Sequence, residues 1–142
     1  MRFDLQKKKE NYFKHDADIG LIAHGETIES CFADAARVMF ALMGRIDEVH
    51  LLEIITFEFE EADLEFALVT WLNLVLAKSY EHHLMFGDFR LKHENNKWFA
   101  TVSGEPWRDE MERGIEVKGA TLTMLSVKKI NHSWEARCVL DV

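Results

Sequence analysis

Apolar residues recur every three or four positions from Thr27 to Met43, at Ile28, Phe32, Ala35, Ala36, Met39 and Met43. That spacing predicts an α-helix with one apolar stripe facing a sheet. Thr27 offers an N-cap oxygen and Gly44 stands just past the last apolar position, where helices commonly stop. A second helix opens at Asp63, also an N-cap candidate, and runs through Leu64, Leu68, Trp71, Leu72 and Val75 toward Glu81-His82-His83. It reads as the more buried of the two.

Elsewhere the period shortens to two. Ile55 to Glu60 alternates strictly, which turns Ile55, Phe57 and Phe59 to a covered face and Thr56, Glu58 and Glu60 to water. Phe86 to Leu91 and Lys97 to Val102 flank Glu94-Asn95-Asn96, a loop composition that suits a hairpin. Two further strands are predicted, from Ala120 to Val127 and from Trp134 to Asp141, joined through Lys128 to Ser133. Strand, helix and strand, then a helix and a run of strands, predict an α+β fold with two helices on an antiparallel or mixed sheet.

At 142 residues, with one proline, no Pro/Gly/Ser-rich linker and no repeat of solenoid type, the chain reads as a single domain over 1–142. Residues 1–10 are a flexible lead or a weak first strand, and Lys7-Lys8-Lys9 a solvated tail. Twenty-five acidic against 17 basic residues give a net charge of -8, the wrong sign for gripping a nucleic-acid backbone over a broad surface. Any contact with RNA is therefore local or indirect. Charges interrupt every apolar run before the roughly 20 residues a membrane span needs. The basic N-terminus lacks the apolar stretch of a secretory signal, which predicts a cytosolic protein. Cys31 and Cys138 have no close cysteine spacing and read as reduced core residues.

Two acidic features stand out. If His15-Asp16-Ala17-Asp18 is extended, Asp16 and Asp18 share a face and can collect a hard cation such as Ca²⁺ or Mg²⁺; otherwise they are turn and capping residues before a strand. At the other end Asp141 stands beside Val142, so two carboxylates come together and repel unless a cation or arginine lies between them, or unless the end is frayed in solvent. Glu81-His82-His83 with His50 and His93 lacks the spacing of a transition-metal site. Lys118 lies between Gly114 and Gly119, where it is either solvated or presented to an anionic partner. The phosphate-loop, dinucleotide and nucleophile-elbow signatures are missing, which disfavours an autonomous enzyme.

In order, His15-Asp16-Ala17-Asp18-Ile19-Gly20, Gly25-Glu26-Thr27, Val38-Met39-Phe40, Trp71-Leu72-Asn73, Gly114-Ile115-Glu116-Val117-Lys118 and Trp134 to Val142 make the chain resemble archease. The resemblance spans nearly the whole chain from about Tyr12. It implies a fold of strand-helix-strand-strand (SHS2-like) units and an accessory protein of the RtcB-type RNA-splicing ligase, which promotes guanylylation and multiple turnover in tRNA splicing or RNA repair. It also implies a divalent-cation site, usually calcium with Mg²⁺ or Mn²⁺ as substitutes, held by Asp18, Asp141 and Val142. Lys118 would then contact the partner or its nucleotide.

Two departures stand beside these matches. Asp16 occupies the place where the family commonly has Thr, as an additional ligand or a simple substitution. Thr121-Leu122-Thr123 replaces the stretch where the family often carries a Tyr-His pair. Two other functions compete: a metal-dependent phosphoester hydrolase with His15 as base, and a metal-free docking or chaperone-like module.

Overall fold

The computed structural model describes residues 10–142, so the expectations for the lysine run and most of the N-terminal lead lie outside the described residues. The order is β1 (Tyr12–His15), β2 (Asp18–Gly25), α1 (Ile28–Met43), a 3-10 turn (Ile46–Glu48), β3 (Glu53–Glu60), α2 (Leu64–His82), β4 (Leu84–Glu94), β5 (Lys97–Pro106), β6 (Gly119–Ala120), β7 (Ser126–Ile130) and β8 (Ser133–Asp141). The fold is α+β, as the periodicity predicts. The strands, however, form two sheets and every pairing is antiparallel. One runs β1-β2-β8-β6 with β7 also on β8, and the other runs β3-β5-β4.

Both helices start where the sequence places their caps. Thr27 and Ser30 form a reciprocal capping box, with each side-chain oxygen 3.0 Å from the other residue's N–H. The Asp63 carboxylate accepts from Phe66 N–H at 2.9 Å. Gly44 follows α1, and His83 closes α2 in the left-handed region at φ 56°. The second helix is not the more buried one: nine of the 16 residues of α1 are buried against seven of the 19 of α2. The reason is position: both helices touch both sheets, but α1 packs broadly along β2 and β4, whereas α2 meets β3, β4, β6 and β7 only sparsely.

Aromatic side chains join these layers. Phe32 of α1 stacks on Trp98 of β5 with centroids 4.9 Å apart, and Phe59 lies on Trp98 at 5.9 Å. Trp71 of α2 stacks on Phe57 at 5.9 Å and donates its indole N–H to Phe32 O at 2.8 Å. Fully burying such a side chain contributes roughly 1.5–3 kcal/mol. Cys31 and Cys138 are buried free thiols, and burial pushes both up to about 12.

Glu105, only 2 % exposed, is the one buried carboxylate among the described residues. Arg108 Nε donates to it at 2.8 Å and His50 N–H at 2.6 Å. These two donors, Arg108 first, hold its carboxyl below the usual carboxylate range.

The expected Ala120 to Val127 strand is broken. β6 ends at Ala120, the chain loops through residues 121–125 with Met124 at φ 52°, and β7 resumes at Ser126. The loop still bonds β8, since Thr121 N–H donates to Val139 O at 3.0 Å and Val139 N–H to Thr123 O at 3.2 Å. β7 then continues to Ile130, which leaves Asn131-His132 as the turn, with Asn131 at φ 59°.

Candidate functional site

β1 and β2 are one hairpin closed on Asp16 and Ala17, with His15 paired to Asp18. Asp16 sits at the tip with φ 53°, a conformation that Asp tolerates better than most residues, and its side chain is 92 % exposed. The extended reading of His15 to Asp18 therefore fails, and Asp16 does not share a strand face with Asp18. Asp18 opens β2. The β2–β8 ladder runs from Gly25↔Trp134 to Ile19↔Leu140, and one further step sets Asp18 opposite Asp141. Because Gly119 pairs with Asp141, the row across four strands reads His15, Asp18, Asp141, Gly119.

Alternation puts this row on the face away from Leu21 and Ala23, which point into the core. Asp18 is half-buried and Asp141 exposed, and Asp18 Oδ1 accepts from Val142 N–H at 3.4 Å. Gly20, next on the same face, is required by a close approach: a Cβ there would lie 2.1 Å from the Phe13 ring. That ring over Gly20 holds the hairpin against β2.

Lys118 arrives on the other side. Its N–H donates to Asp141 O at 2.8 Å and its side chain is exposed. Asn73 of α2 grips the next residues, donating to Ala120 O at 3.1 Å and accepting from Ala120 N–H at 2.8 Å. Val117, fully buried, accepts from the Tyr80 hydroxyl.

The donor set has the chemistry of a hard-cation site: two carboxylates and main-chain oxygen on adjacent strands. Among the described residues no Lys, Arg or His lies within ion-pair distance of Asp18 or Asp141. No group of three or more His, Cys, Asp or Glu converges among the described residues. The other histidines are dispersed: His93 stacks on Trp98 at 3.8 Å, His50 faces Glu105, and His82 faces Glu81.

The sequence pattern of the Archease protein family matches residues 11–142. The chain belongs to the archease family. It is 31% identical over 143 residues to the protein named archease of Methanosarcina mazei, covering 96% of this chain and 98% of that one. Thermococcus kodakarensis archease is 31% identical over 141 residues, covering 95% and 99%. Among solved structures, Methanobacterium thermoautotrophicum protein 1598 superposes with a TM-score of 0.79 at 26% identity, over 93% of this chain and 97% of that one. A Thermotoga maritima archease, titled a possible chaperone, shares the fold with a TM-score of 0.67 at 19% identity, over 100% and 98%.

Within this archease, two residues matter to the site beyond the predicted donors. Asn73 was visible only as part of Trp71-Leu72-Asn73, with no role attached. Its one local trace is an amide in mid-helix, where Asn is a poor former unless its side chain is engaged elsewhere. Tyr80 left no such trace, because its hydroxyl partner is 37 residues away. No helix among the described residues is long and apolar enough to cross a membrane.

Proposed function

We propose that this archease is a cytoplasmic, non-catalytic accessory protein that activates an RtcB-type RNA-splicing ligase, promoting its guanylylation and multiple turnover in tRNA splicing or RNA repair. The observation that carries the proposal is the register that sets Asp18 opposite Asp141, with Lys118 N–H bonded to the Asp141 carbonyl. Asp18, Asp141 and main-chain oxygen of Val142 hold a divalent cation, Ca²⁺ first, with Mg²⁺ or Mn²⁺ as substitutes. Such ions take six to eight oxygens, or six in an octahedron, so water and the ligase complete the shell. The bound ion offsets the carboxylate repulsion, and Lys118 brings an ammonium toward phosphate charge beside it. Asp16, at the exposed hairpin tip, reaches the ion only if the turn moves. RNA is met through the ligase, in keeping with the net charge of -8.

The test is guanylate transfer from GTP to a cognate ligase at limiting metal, with and without this protein. Stimulation by the wild type that is lost in folded Asp18→Ala and Asp141→Ala variants is the expected result. Stimulation that survives both substitutions overturns the cation site. No stimulation at all overturns the ligase role. Phosphoester turnover by the protein alone would point to a hydrolase, and stimulation without Asp-dependent Ca²⁺ heat to a metal-free docking module.

A further inference from the structure

Between the last turn of α2 and the segment 113–116 lies a cleft of about 440 Å³, a volume in the range of small-molecule sites. Met43, Ile115 and Trp107 give it an apolar lining, and Tyr80, 43% exposed, gives it an aromatic wall. The Tyr80 hydroxyl is anchored on the Val117 carbonyl, which holds the ring in place beside the cleft.

Arg113 lines the same cleft without a carboxylate partner. Arg37, Arg45, Arg90, Arg108 and Arg137 each form an ion pair with a carboxylate of this chain, and among the described residues Arg113 alone of the arginines does not. With 25 acidic residues against 17 basic ones, partners are not scarce. The guanidinium instead lies over the Trp107 ring, 4.0 Å from its centroid. Cation–π attraction holds the planar fork there and leaves its N–H donors without an acceptor among the described residues. Glu116, three residues on, also lines the cleft, yet the two opposite charges do not pair. Trp107 N–H donates to His83 O at 3.2 Å, which sets Trp107 and the guanidinium above it at the His83 end. The Glu116 carboxylate acts on the Tyr80 hydroxyl, which burial and then that carboxylate raise above its usual range. The cleft is thus cationic at one end and anionic at the other, with backbone attachments at most roughly 11 Å apart.

We infer that this cleft binds a small aromatic oxyanion, held by Arg113, with its ring against Tyr80 and hydrogen-bond donors on its far edge to Glu116. A phosphate and a carboxylate both match the guanidinium fork, which takes either in two parallel bonds. A free amino acid does not match the spacing, because its carboxylate and ammonium sit on one carbon. A flat molecule with the anion at one end and N–H or O–H groups at the other does. None of these residues is a proposed cation donor, so binding by the protein alone, without divalent metal, is read separately from the cation site and from the ligase.

An NMR titration of the whole chain in metal-free buffer, read at the Trp107 indole N–H, tests this. Guanosine 5′-monophosphate offers a phosphate with N–H donors at its far end, and 4-hydroxyphenylacetate a carboxylate with a far hydroxyl. Inorganic phosphate and acetate are the same anions without a ring. At least one of the aromatic probes should shift the Trp107 signal saturably, and the tighter of the two identifies the anion. Arg113→Gln should weaken that binding about ten-fold with circular dichroism unchanged, and Glu116→Ala should weaken it a few-fold. The inference is overturned if neither aromatic probe gives a saturable shift, or if binding survives Arg113→Gln undiminished. It is equally overturned if the ringless anion binds as tightly as its aromatic counterpart, which would make the cleft a place for an adventitious ion only.

Discussion

Between β3 and β5 the ladder runs unbroken from Glu53↔Gly104 to Glu60↔Lys97, while the outer flank of β8 is paired at β6, bonded only by a loop through Thr121 and Thr123, and paired again as strand from Ser126. In the first region, apolar residues at every second position face the helices and the backbone needs nothing else. In the second, side chains supplement the backbone: Asn73 holds both polar groups of Ala120, Tyr80 holds the Val117 carbonyl, and the Thr121 hydroxyl joins its own N–H on Val139 O, at 2.8 Å. Lys118 and Asp141 stand beside this interrupted flank. A ladder made by alternation is uniform, whereas one made by individual side chains can put a lysine and a carboxylate side by side where strand pairing alone is only two residues long.

The most damaging way to break both regions at once is Trp71→Ala. It removes the stack on Phe57 and the bond to Phe32 O, and denaturant unfolding should show a loss of about 3–5 kcal/mol. Asn73→Ala confines the damage to the interrupted flank. With Ala120 deprived of both partners, a loss of about 1–3 kcal/mol is expected, with faster amide exchange at Ala120 and unchanged exchange across β3 and β5. Ca²⁺ affinity should fall in this variant although no proposed ligand is altered. Asp63→Ala acts on the start of α2 and should lower stability by about 1 kcal/mol with Ca²⁺ binding unchanged, by the same unfolding and calorimetric measurements.

The smallest effect is expected from Glu105→Gln, at the far end of β5. Glu105 has its carboxyl held below the usual range by Arg108 and His50, so its contribution is present above the unfolded value of about 4.3. That contribution disappears as pH falls through the lower folded value. The variant should therefore melt no more than about 2 °C below wild type at neutral pH, and the two midpoints should converge in strong acid.

The regular region was the more legible in sequence. Ile55, Phe57 and Phe59 turn inward as their alternation predicts, and Asn95-Asn96 closes the β4–β5 hairpin with Asn95 at φ 57°. The broken flank was misread because Ala120 to Val127 has enough apolar character for one strand, and nothing local reveals that Thr121 and Thr123 bond β8 from a loop. Asp16 was ambiguous for a similar reason. An extended strand and a tight turn both accept His-Asp-Ala-Asp, and only the pairing of His15 with Asp18 chose the turn.

What the sequence determined by itself was periodic and local: the faces of the helices, their capped starts, the alternating strands and the residue types able to hold a hard cation. These depend on 3.6- and 2-residue periods and on side chains that bond their own neighbourhood. The tertiary structure alone decided that the strands divide into two sheets, that α1 rather than α2 is the more enclosed helix, and that Asn73 clamps Ala120 47 residues away. It also decided that Asp18 lies against Val142 across 124 residues. Such contacts are set by how the helices and sheets close on a shared core, and the free energy of that closure is spread over the chain and is not written in any short stretch of it.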